Sequence, residues 1–234
     1  CPCISGQSTK NRPASIPATS APSRICRKAK CNRPVDMPKS FVEHLDYKID
    51  VPGLGELTVD VAFGGCYFVL IDAACLGLSL KPDEARTLVE LGTKIKDAAI
   101  NQISVQHPET AACNSIEYPL FVGKQPDGIV NSTVIFPGRL DRSPCGTGTA
   151  ARLAVMHARG EIKSGEKVLA RSIIGSEFEA EIASTGSWDR GTYINPKISG
   201  RAWIFSQQKI GVHPTDIFPL GYTLSDTWGT GTPR

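Results

Sequence analysis

Between Leu57 and Asp72 the chain reads LTVDVAFGGCYFVLID, and this stretch decides the fold class. Leu57, Val59, Val61 and Phe63 alternate with polar or small residues, which is the period of a half-buried strand. Gly64 and Gly65 break that run, and the apolar stretch from Cys66 to Asp72 then predicts a second strand, paired with the first as a hairpin. Downstream, Pro82 followed by Asp83 and Glu84 is a helix start. Ala85, Leu88, Val89, Ile95 and Ala99 then recur at helical spacing, which predicts a helix over 82–100. Strands are expected at 116–122 and at 129–136, the latter ending in Pro137-Gly138. After a turn-rich interval, a second helix is expected over 147–160, with Ala150, Leu153, Ala154 and Met156 or His157 recurring and Gly160 as its stop. VLARSIIG, FEAEIA and ISGRAWIF follow as a strand-rich tail. The mixture is α+β, with strands paired mainly as neighbours and a helix packed on them.

The 234 residues, 41% of them hydrophobic, are sufficient to bury a core. Residues 1–40 differ from the rest: they hold six of the 17 prolines and eight Lys or Arg against one acid, and they read as an irregular basic segment. The remainder carries 18 basic against 22 acidic residues, so a net charge of +3 does not point to nucleic acid. The expected division is 1–40, an α/β domain over 41–190, and a C-terminal segment over 191–234. No stretch is long and apolar enough to span a bilayer, and the first thirty residues lack the apolar core of a signal peptide. The expected location is therefore cytoplasmic, with the eight cysteines reduced and most of them serving as small core hydrophobes. Cys1-x-Cys3 and Cys26-x4-Cys31 lack a second ligand pair, and no metal is expected.

The most unusual sequence is DRSPCGTGT, Asp141 to Thr149. It sets one thiol between a proline and a Gly-rich turn that opens a helix. Unpaired N–H groups and the positive helix end stabilise anions, so the Cys145 pKa is expected to fall and a carboxylate would find donors beside it. Asp141 is placed to receive an ammonium group, which suits an α-amino acid, and Thr147 and Thr149 can cap the helix or donate to the carboxylate. A turn that merely starts a helix, with Cys145 an inert buried thiol, fits the same spacing. Gly146-x-Gly148-x-x-Ala151 also matches a dinucleotide fingerprint with Glu166 twenty residues on, but Pro144 stands where a strand should precede it. Asn131-Ser132-Thr133 is a glycosylation pattern inside a predicted strand and is taken as chance. Trp188 and Trp203 read as packing residues, and His107-Pro108-Glu109 as a turn after the first helix.

DRSPCGTGTAARLA resembles the second catalytic motif of the proline racemase family, which includes hydroxyproline epimerases and trans-3-hydroxy-L-proline dehydratases. The resemblance runs from about Arg24 to Arg234 through VPGLGEL, FGGCYFVLIDA, GTKIKDA, SIIGSEF, ISGRAWI and GYTLSDTW. It implies mirrored α/β halves of the diaminopimelate epimerase type, a site in the cleft between them, no cofactor and a homodimer. It also implies Cα proton abstraction from an imino acid, proline or hydroxyproline, by one base, with reprotonation from the opposite face by a second. Carried over residue by residue, Cys145 is an acid/base, Asp141 contacts the substrate amine, and Gly146 and Thr147 bind its carboxylate. The family's first motif, Met-Cys-Gly-His, is not found, and none of His44, His107, His157 and His213 stands in such a context. This predicts a truncated or frame-disrupted product, its first half incomplete and one acid/base lacking, and hence an impaired racemase. GYTLSDTW leans towards the dehydratase branch, and an imino-acid-binding remnant without turnover is the non-enzymatic alternative.

Overall fold

The computed structural model describes residues 33–202, 206 and 208–222. In chain order its elements are β1 (Arg33–Asp36), β2 (Ser40–Val51), β3 (Gly55–Phe63), β4 (Tyr67–Asp72), α1 (Ala85–Gln102), β5 (Ile116–Gln125), β6 (Gly128–Ile135), β7 (Arg139–Leu140), α2 (Gly146–Ala158), β8 (Lys167–Ser172), β9 (Glu177–Trp188) and β10 (Gly191–Gly200). The expected hairpin is β3 against β4, antiparallel, with Val61 opposite Val69 and Phe63 opposite Tyr67. The expected first helix is a 3₁₀ turn over Pro82–Glu84 running into α1, and the second is α2 with Gly160 at φ 73° just beyond it.

The strands form one mixed sheet in the order β2-β3-β4-β5-β6-β8-β9-β10, parallel at β4–β5 and β6–β8. β10 pairs along one side with β9 and on its other side with β2, Tyr193 facing Phe41 and Ile194 facing Ser40, so the eight strands close into a ring. Inside it lies α2, which touches β2, β3, β4, β6, β9 and β10. Every residue of α2 from Gly148 to Val155 is buried. A helix covered on all sides cannot be amphipathic, which is why its Gly, Ala and Leu positions show no polar stripe.

Strand β4 shows how the two layers are made. Phe68 and Leu70 point into the ring beside Ala62, Ala151 and Val155, whereas Tyr67, Val69 and Ile71 point out to the core that α1 covers with Leu88, Ile95 and Ala99. A strand buried on both faces reads as a continuous apolar run, and YFVLI is that run. Three expectations need correction. Residues 33–36 are a strand, paired with Lys197–Gly200 of β10, although proline-rich composition had placed them in an irregular segment. The boundary at 190/191 falls in the β9–β10 hairpin, whose ladder runs from Trp188 opposite Gly191 to Phe178 opposite Gly200. Of the four described cysteines, Cys145 alone is buried, Cys66 and Cys113 are half-buried against the core, and Cys75 is exposed, so among these four the expectation of core thiols fails at Cys75.

Among the described residues, those up to Arg201 form one compact unit and those from Ala202 onward a second. Among its described residues the second unit has turns but no strand or helix; Phe218 and Tyr222 rings lie 4.9 Å apart, and the Thr215 N–H donates to His213 Nδ1. Cys1, Cys3, Cys26, Cys31 and Trp203 lie outside the described residues. Among the described residues no helix is long and apolar enough to cross a membrane.

Candidate active site

The α2 N-terminus is built by the turn Asp141–Cys145. Asp141 Oδ1 accepts from the Ser143 N–H at 2.8 Å, and Ser143 Oγ accepts from the Cys145 N–H at 3.1 Å. These two side-chain bonds coil the chain back on itself and leave Cys145 at φ 62°, ψ 110°, a conformation that side-chain-bearing residues rarely adopt. Cys145 is the N-cap. Its Sγ accepts from the Gly148 N–H at 3.3 Å and lies 3.7 Å from Thr147 Oγ1. Cys145 O accepts from the Thr149 N–H at 2.8 Å, which closes the first helical turn. The Gly146 and Thr147 N–H groups are left without a partner among the described residues, as expected of a helix N-terminus.

The turn is anchored from β6. Asn131, fully buried, donates through Nδ2 to Pro144 O at 3.1 Å and to Thr149 Oγ1 at 3.0 Å. Thr149 Oγ1 in turn donates to Pro144 O at 3.0 Å. Asn131 Oδ1 accepts from Arg152 Nη1 at 2.8 Å, and the same guanidinium donates to Val130 O at 2.6 Å and Gly123 O at 2.7 Å. Arg152 is buried, and loss of water pulls its pKa down to about 10, so it stays charged at neutral pH. Neither Asn131 nor Arg152 was singled out as a site residue. Asn131 was read only as a glycosylation pattern, and its burial closes it to that modification in the folded chain. Its signal was a polar Asn-Ser-Thr run set between Ile-Val and Val-Ile pairs in the same strand.

From the other side Gly64 approaches the helix. A Cβ there would overlap the Thr147 carbonyl oxygen and stand 2.5 Å from Ala151 N, so only glycine lets β3 lie this close to the first turn of α2. Met37 and Pro38 flank the turn as well, against Gly146 and Gly65. Cys66 and Tyr118 complete the apolar surroundings of Cys145. Burial and the Glu117 charge push the Cys66 thiol up to about 12.

The structure thus brings Cys145, Asp141, Gly146 and Thr147 into one turn, but it overturns the expected fall in the Cys145 pKa. Burial pushes this thiol above its usual value; the Thr133 hydroxyl, the Gly148 N–H and the Thr147 hydroxyl work in the opposite direction, and the Asp141 charge raises it further. The helix end is present, but desolvation is the larger effect.

His107 lies in an aromatic cluster, 4.5 Å from the Phe63 ring and 5.4 Å from Phe41. Trp188 packs there too, its ring tilted against Tyr193 at 4.5 Å and its Nε1–H donating to Glu109. A cavity of about 630 Å³ opens around Arg152, Val155, Met156 and Arg159, further along α2, and Cys145 does not line it. Among the described residues no group of three or more His, Cys, Asp or Glu is arranged to hold a metal.

The family described as proline racemase matches residues 22–223. A crystal structure of a hydroxyproline epimerase from Agrobacterium vitis with bound trans-4-hydroxy-L-proline is 38% identical, with a TM-score of 0.72, over 84% of this chain and 57% of that one. A probable proline racemase from Agrobacterium radiobacter K84, crystallised with carbonate, is 37% identical, with a TM-score of 0.74, over 88% of this chain and 61% of that one. The chain therefore spans about three fifths of the length of these two proteins. With a family match over most of its length and the DRSPCGTGT turn folded as a helix-capping thiol, the chain belongs to the proline racemase family.

Proposed function

We propose that Cys145 is one acid/base of a cofactor-independent proline racemase or hydroxyproline epimerase site. In the step it performs, the Cα–H bond of the imino acid breaks, the proton passes to the Cys145 thiolate, and the electron pair is spread into the substrate carboxylate as an enolate. Return of a proton to the opposite face inverts the centre; return from Cys145 restores it. The observation that carries this reading is the turn itself, where a buried thiol caps α2 beside the unpartnered Gly146 and Thr147 N–H groups. Those two donors hold the carboxylate and its growing charge. Asp141 spends Oδ1 on the Ser143 N–H and turns its remaining oxygen and its charge to the substrate ammonium. The raised pKa suits the task, since a thiolate formed there is a stronger base towards a weakly acidic Cα proton, although less of it is present at neutral pH.

The 234-residue polypeptide carries one motif of this kind. As an isolated polypeptide it is expected to exchange the Cα proton and to racemise poorly. The test is proton NMR of L-proline, trans-4-hydroxy-L-proline and trans-3-hydroxy-L-proline in heavy water, with Cys145→Ser alongside. Loss of the Cα signal with wild type and its persistence with C145S supports the reading. An unchanged Cα signal from folded wild-type protein refutes it, and appearance of a β-eliminated product from the 3-hydroxy substrate would move the chain to the dehydratase branch.

A further inference from the structure

Among the described residues two buried side-chain oxygens have no hydrogen-bond partner, Ser132 Oγ and Thr133 Oγ1. An unmet hydroxyl in a folded interior costs free energy and calls for a reason. For Thr133 the surroundings give one. It sits two residues from Asn131 in β6, on the same face of the strand, and Asn131 is bonded to Pro144 O and Thr149. Thr133 O accepts from the Asp141 N–H at 2.9 Å, which fixes the strand directly under the turn. Its cross-strand neighbour is Leu120, and Leu120 Cδ2 and Cys145 Sγ crowd the same side of Gly148. The Thr133 side chain is therefore directed into the pocket of the Cys145 sulfur, 2% exposed and with a proton to give.

We propose that the Thr133 hydroxyl is the third donor to the Cys145 thiolate, idle while the sulfur is protonated and engaged when the proton leaves. The Gly148 N–H and the Thr147 hydroxyl approach the sulfur from the helix, and Thr133 approaches it from the sheet. A neutral thiol is a weak acceptor and leaves the hydroxyl unsatisfied, whereas an anionic sulfur fills all three donors. The cost carried in the resting protein becomes a preference for the charged state, which is the form that removes a proton from carbon. This inference rests on Cys145 being the acid/base, but it is read from the thiol itself and needs no substrate.

The experiment is the rate of iodoacetamide alkylation at Cys145, followed by peptide mass spectrometry between pH 6.5 and 10.5, in wild type and in Thr133→Val, Thr133→Ala and Thr133→Ser. Wild type and T133S should share one titration midpoint. T133V and T133A should titrate about one pH unit higher and react roughly tenfold more slowly below the midpoint. Comparison of T133A with T133S isolates the hydroxyl if the second methyl of valine disturbs packing, and thermal melting of each variant reports structural damage separately. Coincident profiles for T133A and T133S overturn the proposal. A shift in T133A that T133S fails to reverse overturns it too, because the methyl would then be the cause. Failure of the racemase reading shows instead as absent Cα exchange with this pH dependence intact.

Discussion

Gly64→Ala is the substitution that most directly tests the close approach of β3 to α2. The added Cβ would overlap the Thr147 carbonyl oxygen and stand 2.5 Å from Ala151 N and 3.1 Å from Ala151 Cα. All three are backbone atoms of a helix held on every side by the ring, so no side-chain rotation relieves the clash. Either β3 or the first turn of α2 must move, and overpacking of this kind costs about 3 kcal/mol. For a chain of this size that corresponds to a fall in melting temperature of roughly 6–12 °C. Movement of the turn also alters the donors around Cys145, so alkylation at that thiol should change its pH profile in the same variant. The matched control is Gly53→Ala in the β2–β3 turn, where nothing lies within 4 Å but φ is 81°. Its cost is confined to backbone strain, about 1 kcal/mol, and Cys145 should be unaffected. Melting by circular dichroism and site-resolved alkylation decide the matter. A G64A protein that melts within about 2 °C of wild type, with the Cys145 profile unchanged, would refute the claim that glycine is required for this contact.

Other consequences follow from the same geometry. Arg152→Met removes the donor to Val130 O, Gly123 O and Asn131 Oδ1 at once; unfolding in urea should show a loss of about 2–4 kcal/mol, and an unchanged midpoint would count against the anchoring network. Burial lowers the His107 pKa below 6.5, and Nδ1 accepts the Glu109 N–H at 3.0 Å, so the folded state prefers the neutral ring. The unfolded chain then binds the proton first, and stability fully present above pH 6.5 should decline as pH falls through 6.5 towards the folded value. His107→Asn should flatten that part of the urea-midpoint profile, and a slope unaltered by the substitution would assign it elsewhere. Among the described thiols, exposed Cys75 should react with Ellman's reagent well before Cys66 and Cys145, whose pKa values are raised; equal rates in the native protein would contradict their burial.

Much of this architecture was legible from local pattern. The β3–β4 hairpin, α1 and α2 all follow from periodicity, glycine breaks and a proline start, because each is decided by residues close in sequence. The ring was not legible. Its closure depends on Tyr193 and Ile194 meeting Phe41 and Ser40, a contact across most of the chain that no local period encodes. The strand over 33–36 was missed for the same reason, since Pro34 sits in a short β1 that exists only because β10 offers it an edge. The helix start after DRSPC was legible because such turns are local, but the sequence offered Thr147 or Thr149 as its cap and the structure gives Cys145. The direction of the thiol's pKa was not legible, because it is set by how tightly Ala62, Leu120 and Ala151 enclose it. Asn131 and Thr133 were hidden by a glycosylation pattern that burial makes irrelevant.

Closure of the ring orders events during folding. α2 is synthesised before β8, β9 and β10, yet it ends enclosed by all the strands that touch it. A helix cannot be threaded into a finished ring, so α2 must be laid on β2, β3 and β4 before the strands that follow it in the chain, β8, β9 and β10, complete the closure. Until then β2 and β9 present open backbone donors and acceptors to any extended chain, so a nascent or partly unfolded molecule is most exposed to aggregation in the interval that ends with the arrival of Gly191–Gly200.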